Sequence, residues 1–188
     1  MILSSDFEAL RHADIYVLDQ LLKGRFQPGQ KVLDFGCGSG RNLIALEQCG
    51  LEVFGVDLSP NAIHQCSLNL ETYKADRFFE GNLLDHPYPD LTFDVVIANA
   101  LFHFAPDRES FLLWVRHTWA ALKPGGLYFV RLSTRIGLPD ARPPGFSYLA
   151  TEDDLLGLEE EWGATRIEPL KTTLVESLRT MTTWVLRK

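Results

Sequence analysis

A chain that sets three glycines at alternate positions between an apolar run and a helical segment is committed to a sharp strand-to-helix turn. Here the stretch is Val32-Leu-Asp-Phe-Gly-Cys-Gly-Ser-Gly-Arg-Asn42, with Gly36, Gly38 and Gly40 at its centre. Lys31 to Phe35 is short and apolar and reads as a buried strand; Arg41 to Gln48 reads as a helix closed by Cys49-Gly50. Glycine permits positive φ and, lacking a Cβ, lets a ligand approach the backbone. The helix that follows offers free N–H groups to an anionic or polar ligand. Taken alone, a GxGxG also fits a bare turn.

The rest of the chain repeats the alternation. Glu52 to Val56 is strand-like, and Ser59-Pro60 caps and starts a helix. Short strands are expected at Asp76 to Glu80 and Asp94 to Ala98. An amphipathic helix is expected over Arg108 to Leu122, a turn at Lys123-Pro-Gly-Gly126, and a strand over Leu127 to Leu132. Upstream, Asp6 to Leu22 reads as one helix with Phe7, Leu10, Ile15, Leu18, Leu21 and Leu22 on its apolar face. A Pro/Gly-rich loop over 133–149 precedes an acidic helix, and two strands, Ala164 to Leu170 and Met181 to Arg187, end the chain with no helix between them. Alternating strands and helices predict an α/β fold with a parallel sheet and helices on both faces; the last two strands should be an antiparallel edge pair. The chain is read as one domain, 1–188. Residues 1–29 form an N-terminal helix or lid, 30–132 a ligand-binding core, and 133–188 a substrate loop, the acidic helix and the strand pair.

Composition limits what such a domain can do. Of the net charge of −7, six charges sit in residues 152–161, so no basic stripe remains to grip nucleic acid. The acidic block is interleaved with Leu155, Leu156 and Leu158 and reads as a helix with one solvated face. Cys37, Cys49 and Cys66 form no CxxC and have no histidine at ligand spacing, so no metal site is expected. No apolar run approaches the ~20 residues of a membrane span, and the first residues show no leader pattern, so the expected location is cytoplasmic.

Polar groups stand at successive strand ends. Asp34 precedes the glycines, Asp57 lies 21 residues after Gly36 at the end of the next strand, and Gly81-Asn82 ends the third. An acid at the second position can take both hydroxyls of a ribose, and a polar side chain at the third can meet a purine edge. The segments VLDFGCGSGRN (32–42), VFGVDLSPNAI (53–63), EGNLLDHPYPDLTFDVV (80–96) and LKPGGLYFV (122–130) together resemble the class I S-adenosylmethionine-dependent methyltransferases. The GCGSGRN form is further similar to small bacterial methyltransferases of the tellurite-resistance and thiopurine-related kind.

The resemblance implies a Rossmann-like, doubly wound, mostly parallel seven-stranded sheet whose last strand is antiparallel and inserted beside its neighbour. It implies S-adenosylmethionine as cofactor, with Asp34 near its amino group and Gly36, Cys37 and Gly38 around its methionine part. Asp57 would hold the ribose hydroxyls, Leu58 would lie against the adenine, Asn82 and Leu83 would meet the adenine edge and face, and Asn99 would close the site. The family often carries Asp where this chain has Asn82; an amide can still accept from the adenine amino group.

The acceptor is expected to be a small molecule. No Asn-Pro-Pro-Tyr or Asp-Pro-Pro-Tyr follows the fourth strand, and no Pro-Cys occurs; the sequence reads Asn99-Ala-Leu-Phe-His-Phe104. His103 is a candidate base for a hydroxyl or thiol acceptor, or else a structural histidine. The loop after the fifth strand, with Arg131, Arg135, Arg142, Phe146 and Tyr148, and the N-terminal helix, with Arg11, Asp14 and Tyr16, are candidate lids over the acceptor. Tyr16, His103, Arg135 and Phe146 are the candidate substrate contacts. Two other readings stay open: an NAD(P)-dependent oxidoreductase, and a non-catalytic methyltransferase-like partner subunit. The oligomeric state is not legible.

Overall fold

In the computed structural model, residues 10–138, 140 and 143–188 are described. Phe7 and Arg142, both singled out in the sequence, lie outside them.

The elements are α1 (Ile15–Leu22), β1 (Lys31–Phe35), α2 (Arg41–Gln48), β2 (Glu52–Asp57), α3 (Pro60–Asn69), β3 (Phe78–Glu80), β4 (Phe93–Asn99), α4 (Arg108–Ala120), β5 (Leu122–Thr134), α5 (Glu152–Trp162), β6 (Thr165–Arg166), β7 (Lys171–Val175) and β8 (Arg179–Arg187). They build a sheet in the order β3-β2-β1-β4-β5-β8-β6, with β7 also paired to β8. The β1, β2, β3, β4 and β5 pairings are parallel; β8 runs antiparallel, inserted between β5 and the edge. The expected α/β architecture is therefore the observed one, with seven positions across the sheet.

Alternate residues of each strand feed two cores. One joins Leu33, Val96, Tyr128 and Trp184 to Phe111, Val115 and Trp119 of α4 and Leu155 and Leu158 of α5. The other joins Val32, Val53, Ile97, Phe129 and Val185 to Val17 of α1, Leu43 and Leu46 of α2, and Cys66 of α3. Helices thus cover both faces.

The last sheet position holds two short segments where one strand, Ala164 to Leu170, was expected. Only Thr165–Arg166 pair with the far end of β8; the residues read as a connection contain β7, which hairpins onto the near end with Val175 opposite Arg179. The turn is built from Glu176 and Ser177, both at positive φ (53° and 56°). Hairpin turns of that kind usually announce themselves by Gly or Asn, and here they do not.

The single helix expected over Asp6 to Leu22 is also corrected. Residues 10–12 are helical, the chain breaks, and α1 starts at Ile15. Asp14 makes the break: its carboxylate accepts from the Tyr16 N–H at 2.9 Å as an N-cap, and its own N–H donates to Asn42 Oδ1 at 2.9 Å. The restart changes the buried face. Ile15 and Leu22 are exposed, while Val17 and Gln20 are buried. Gln20 tolerates burial because its amide donates to Glu168 Oε1 at 2.7 Å and its carbonyl oxygen accepts from Arg25.

The acidic helix is tied in by the residue that caps it. Thr151 and Asp154 form a capping box, and the buried Asp154 carboxylate also accepts from Tyr148 Oη at 2.6 Å and Arg108 Nε at 2.7 Å. These bonds pin the end of the loop that follows β5.

Candidate functional site

The C-terminal ends of the parallel strands open onto a cavity of about 400 Å³, within the range of small-molecule sites. It is lined by Gly36 after β1, Val56, Asp57 and Leu58 at the end of β2, Gly81, Asn82 and Leu83 after β3, Ala100, Leu101 and Phe104 after β4, and Trp114 of α4. Such a crevice outside the carboxyl ends of the strands is where open α/β sheets bind ligands.

Gly36 and Gly38 adopt positive φ (72° and 56°). A Cβ on Gly36 would meet Leu101 Cδ1 at 3.2 Å, whereas one on Gly38 would project into open space. The Gly38 restriction is therefore conformational, and its backbone is bare toward whatever approaches.

Asp57 holds this turn. Its Oδ2 accepts from the Gly38 N–H at 2.8 Å and its Oδ1 from the Ser59 N–H at 2.9 Å. Each oxygen retains a lone pair for a ligand hydroxyl. Leu58 stands 73% exposed beside it, an apolar side chain waiting on the cavity rim. Asn82 accepts from the Leu84 N–H at 2.9 Å, which leaves its amide N–H₂ and a second lone pair available, and Leu83 is buried below.

Asp34 and Asn99 lie deeper and do not line the cavity. Both carboxylate oxygens of Asp34 and both polar atoms of the Asn99 amide are buried without a hydrogen-bond partner. Buried polar groups in native proteins are almost always paired, so two orphaned side chains at adjacent strand ends mark a place for a ligand. Burial pushes the Asp34 carboxyl up to about 8, against the weaker opposing pull of the Arg41 charge and of the Asn42 side chain, which lies close to it without hydrogen-bond geometry. A ligand cation beside it would restore the ionised form.

Cys37 turns away from the cavity. Its Sγ lies 4.0 Å from Cys66 Sγ in the core beneath the loop, where a Cβ on Gly55 would strike it at 2.8 Å. Only its backbone can serve the expected role. Among the described residues no group of His, Cys, Asp or Glu is arranged to hold a metal, and no helix is long and apolar enough to cross a membrane.

The four candidate substrate contacts do not converge on the cavity wall. His103 is 3% exposed, and its Nδ1 accepts from the Ser133 N–H at 3.2 Å. Its ring packs on Phe146 (centroids 4.0 Å apart) and Phe104 (4.6 Å). Burial and, secondarily, the Arg179 charge push its pKa down to about 4. A neutral imidazole whose acceptor nitrogen is already engaged is suited to pinning the β5 loop, and the ring offers little as a base. Phe146 completes that stack, with Arg179 over its ring at 5.4 Å. Arg135 is exposed. Tyr16 sits elsewhere: its hydroxyl bonds Thr173 Oγ1 at 2.6 Å and its ring lies under Arg131 at 4.8 Å.

The sequence reading passed over Ala100, Leu101, Phe104 and Trp114 as cavity wall. Ala100 holds φ 61°, a strained value for a residue with a Cβ, at the mouth of β4. No composition signal marks such a residue.

Residues 33–130, more than half of the chain, match the family described as methyltransferase domain. The chain belongs to the methyltransferase domain family. The match decides for the class I methyltransferase resemblance and against the nicotinamide oxidoreductase reading.

Over 106 residues the chain is 38% identical to the ribosomal protein L11 methyltransferase of Burkholderia mallei; that is 56% of this chain and 32% of the relative. The chain thus spans about a third of the length of the curated relatives it matches. Among solved structures, the magnesium protoporphyrin IX methyltransferase of Synechocystis PCC 6803 superposes with a TM-score of 0.72 at 18% identity, covering 98% of this chain and 83% of that one. A SAM-dependent methyltransferase from Methanosarcina mazei gives 0.69 at 19%, covering 89% and 96%. At these identities the superpositions speak for the fold.

Proposed function

We propose that this protein transfers a methyl group from S-adenosylmethionine to a small-molecule acceptor. The observation that carries the reading is the orphaned Asp34 carboxylate buried directly before the glycine turn. It asks for a cationic partner, and the cofactor's amino group is one.

The cofactor supplies, when bound, an electrophilic methyl group on a sulfonium. Asp34 pairs with the ammonium, and Asn99 offers its free amide from the next strand. Asp57 accepts from the ribose hydroxyls with the lone pairs that Gly38 and Ser59 leave over. Leu58 and Leu83 flank the adenine, and Asn82 meets its edge. Gly36 and Gly38 let the backbone approach closely. The chain's remaining task is to align a nucleophile and exclude water, and proximity with orientation can supply ~7–11 kcal/mol of such a barrier. With the engaged, weakly basic His103 in the loop stack, alignment carries the step and His103 positions the β5 loop.

The small-molecule acceptor is favoured by the size of the cavity. A protein acceptor is the second reading, since the Burkholderia relative is named for ribosomal protein L11. The test is S-adenosylhomocysteine release over a panel of small oxygen, nitrogen and sulfur nucleophiles with ribosomal protein L11 alongside. Turnover on a small acceptor supports the proposal. Turnover on L11 alone replaces the acceptor class, and cofactor binding without turnover on any acceptor leaves the partner-subunit reading.

A further inference from the structure

Beyond Asn99 the orphaned polar groups continue across the sheet. Residue pairing sets Asn99 of β4 beside Arg131 of β5, and Arg131 beside Thr183 of β8. Paired residues point to the same face, and Ser133, two residues past Arg131, shares it. Asn99, Ser133 and Thr183 are 7%, 0% and 2% exposed. Their polar side-chain atoms, together with Arg131 Nε, are buried and unpartnered. A buried polar group that nothing satisfies is costly to the fold. Four of them lie in one patch, at the ends of β4 and β5 and midway along β8, with Asn99 next in sequence to Ala100 of the cavity wall, and they form a buried polar surface without a partner.

The charges select the ligand. Arg131 Nη1 donates to Asp14 Oδ2 at 2.8 Å, and Arg41 lies 3.9 Å from the same oxygen. Two guanidiniums face one carboxylate, and burial keeps the nearby Asp34, which also feels Arg41, protonated in the ligand-free protein, which leaves one positive charge over. Lys171, opposite Thr183 on β7, is engaged by Asp19 and Glu168, which it shares with Lys23 and Arg25. The free donors are the Asn99 amide, Arg131 Nε and two hydroxyls; one surplus cation with neutral donors suits a monoanion with two oxygens. The row runs from β4 over β5 to β8, so it extends about 10 Å away from Asn99 and from the glycine turn.

We propose that Asn99, Arg131, Ser133 and Thr183 form a subsite for a carboxylate carried by the methyl acceptor, covered by Asp14 and Tyr16 of the N-terminal segment. The proposal rests on the cofactor reading given above, since it places the acceptor beside that cofactor.

The experiment titrates the full chain, saturated with S-adenosylhomocysteine, with acetate and benzoate, using acetamide and benzamide as neutral counterparts. Thr183→Val keeps the shape of a strand residue and removes the hydroxyl; Arg131→Gln removes the charge. The expected result is carboxylate binding at least tenfold tighter than amide binding. It should be weakened about fivefold or more by Thr183→Val and lost in Arg131→Gln, with S-adenosylhomocysteine affinity unchanged in Thr183→Val. No carboxylate binding, equal binding of the amides, or indifference to both variants overturns the proposal. If Thr183→Val weakens S-adenosylhomocysteine but spares 5′-methylthioadenosine, the row holds the cofactor's own carboxylate and the proposal also falls. Failure of S-adenosylhomocysteine to bind the wild type would sink the cofactor reading instead, and the same titrations without it would still decide whether the row takes a carboxylate.

Discussion

The Gly38 N–H donates to Asp57 Oδ2 at 2.8 Å, so the end of β2 directly holds the turn that leaves β1. The residue proposed to grip a ribose thus also shapes the glycine loop. If Asp57 holds the cofactor as proposed, cofactor affinity and loop geometry are coupled through one carboxylate.

Asp57→Ala should therefore weaken S-adenosylhomocysteine binding by two routes, the lost ribose contacts and the released Gly38 and Ser59 amides. A drop of 100-fold or more follows from losing hydrogen bonds of about 1.5–3 kcal/mol each to a charged group. Calorimetry is the check; unchanged affinity would remove Asp57 from the cofactor site.

Gly38→Val should abolish cofactor binding and leave far-UV circular dichroism close to wild type. The φ of 56° disfavours any β-branched residue, and the side chain would stand in the space the ligand needs. Retained micromolar affinity would show a turn with no role as a cradle.

Asp34 sets a pH dependence. Its folded pKa of about 8 lies above the ordinary 3.8, so the folded, ligand-free protein holds a proton that the unfolded chain gives up. The corresponding stability is full below about pH 4 and is lost as pH rises toward 8, by an amount on the order of a few kcal/mol. An ammonium bound beside Asp34 ionises it, so S-adenosylhomocysteine binding at pH 6.5 should release close to one proton and tighten as pH rises to 8. Calorimetry in buffers of different ionisation enthalpy measures the proton. Asp34→Asn should eliminate it, and persistence of proton release in that variant would contradict the assignment.

His103 acts in the opposite sense. Its folded pKa of about 4 lies below the ordinary 6.5, so its contribution is present above pH 6.5 and lost as pH falls toward 4. Unfolding of His103→Gln compared with wild type should show a shallower loss of stability over that window, by about 3 kcal/mol. Equal slopes would mean that the imidazole is not held neutral by burial.

Much of this was legible from residue types alone. The glycines, Asp34, Asp57 and the Ser59-Pro60 cap are local signals, and each stands where local rules put it. What failed was long-range. The break at Asp14 depends on Asn42 and Arg131, which lie 28 and 117 residues away, so nothing near Asp14 announces it. The β7 hairpin turns through Glu176 and Ser177 without a glycine. His103 looked reactive because its neighbours in sequence lie near the strand end; its burial comes from Phe146 and the Ser133 amide, which only the fold brings close. The wall of Leu101, Phe104 and Trp114 is apolar, and apolar residues at those spacings read as core.

We propose that this cleft binds S-adenosylmethionine through Asp34 and Asp57. Calorimetric titration of the full chain with S-adenosylhomocysteine and, separately, with NAD tests it most directly. The expected result is one-to-one micromolar binding of S-adenosylhomocysteine, lost in Asp57→Ala, and no heat from NAD. Binding of NAD with no response to S-adenosylhomocysteine would contradict it.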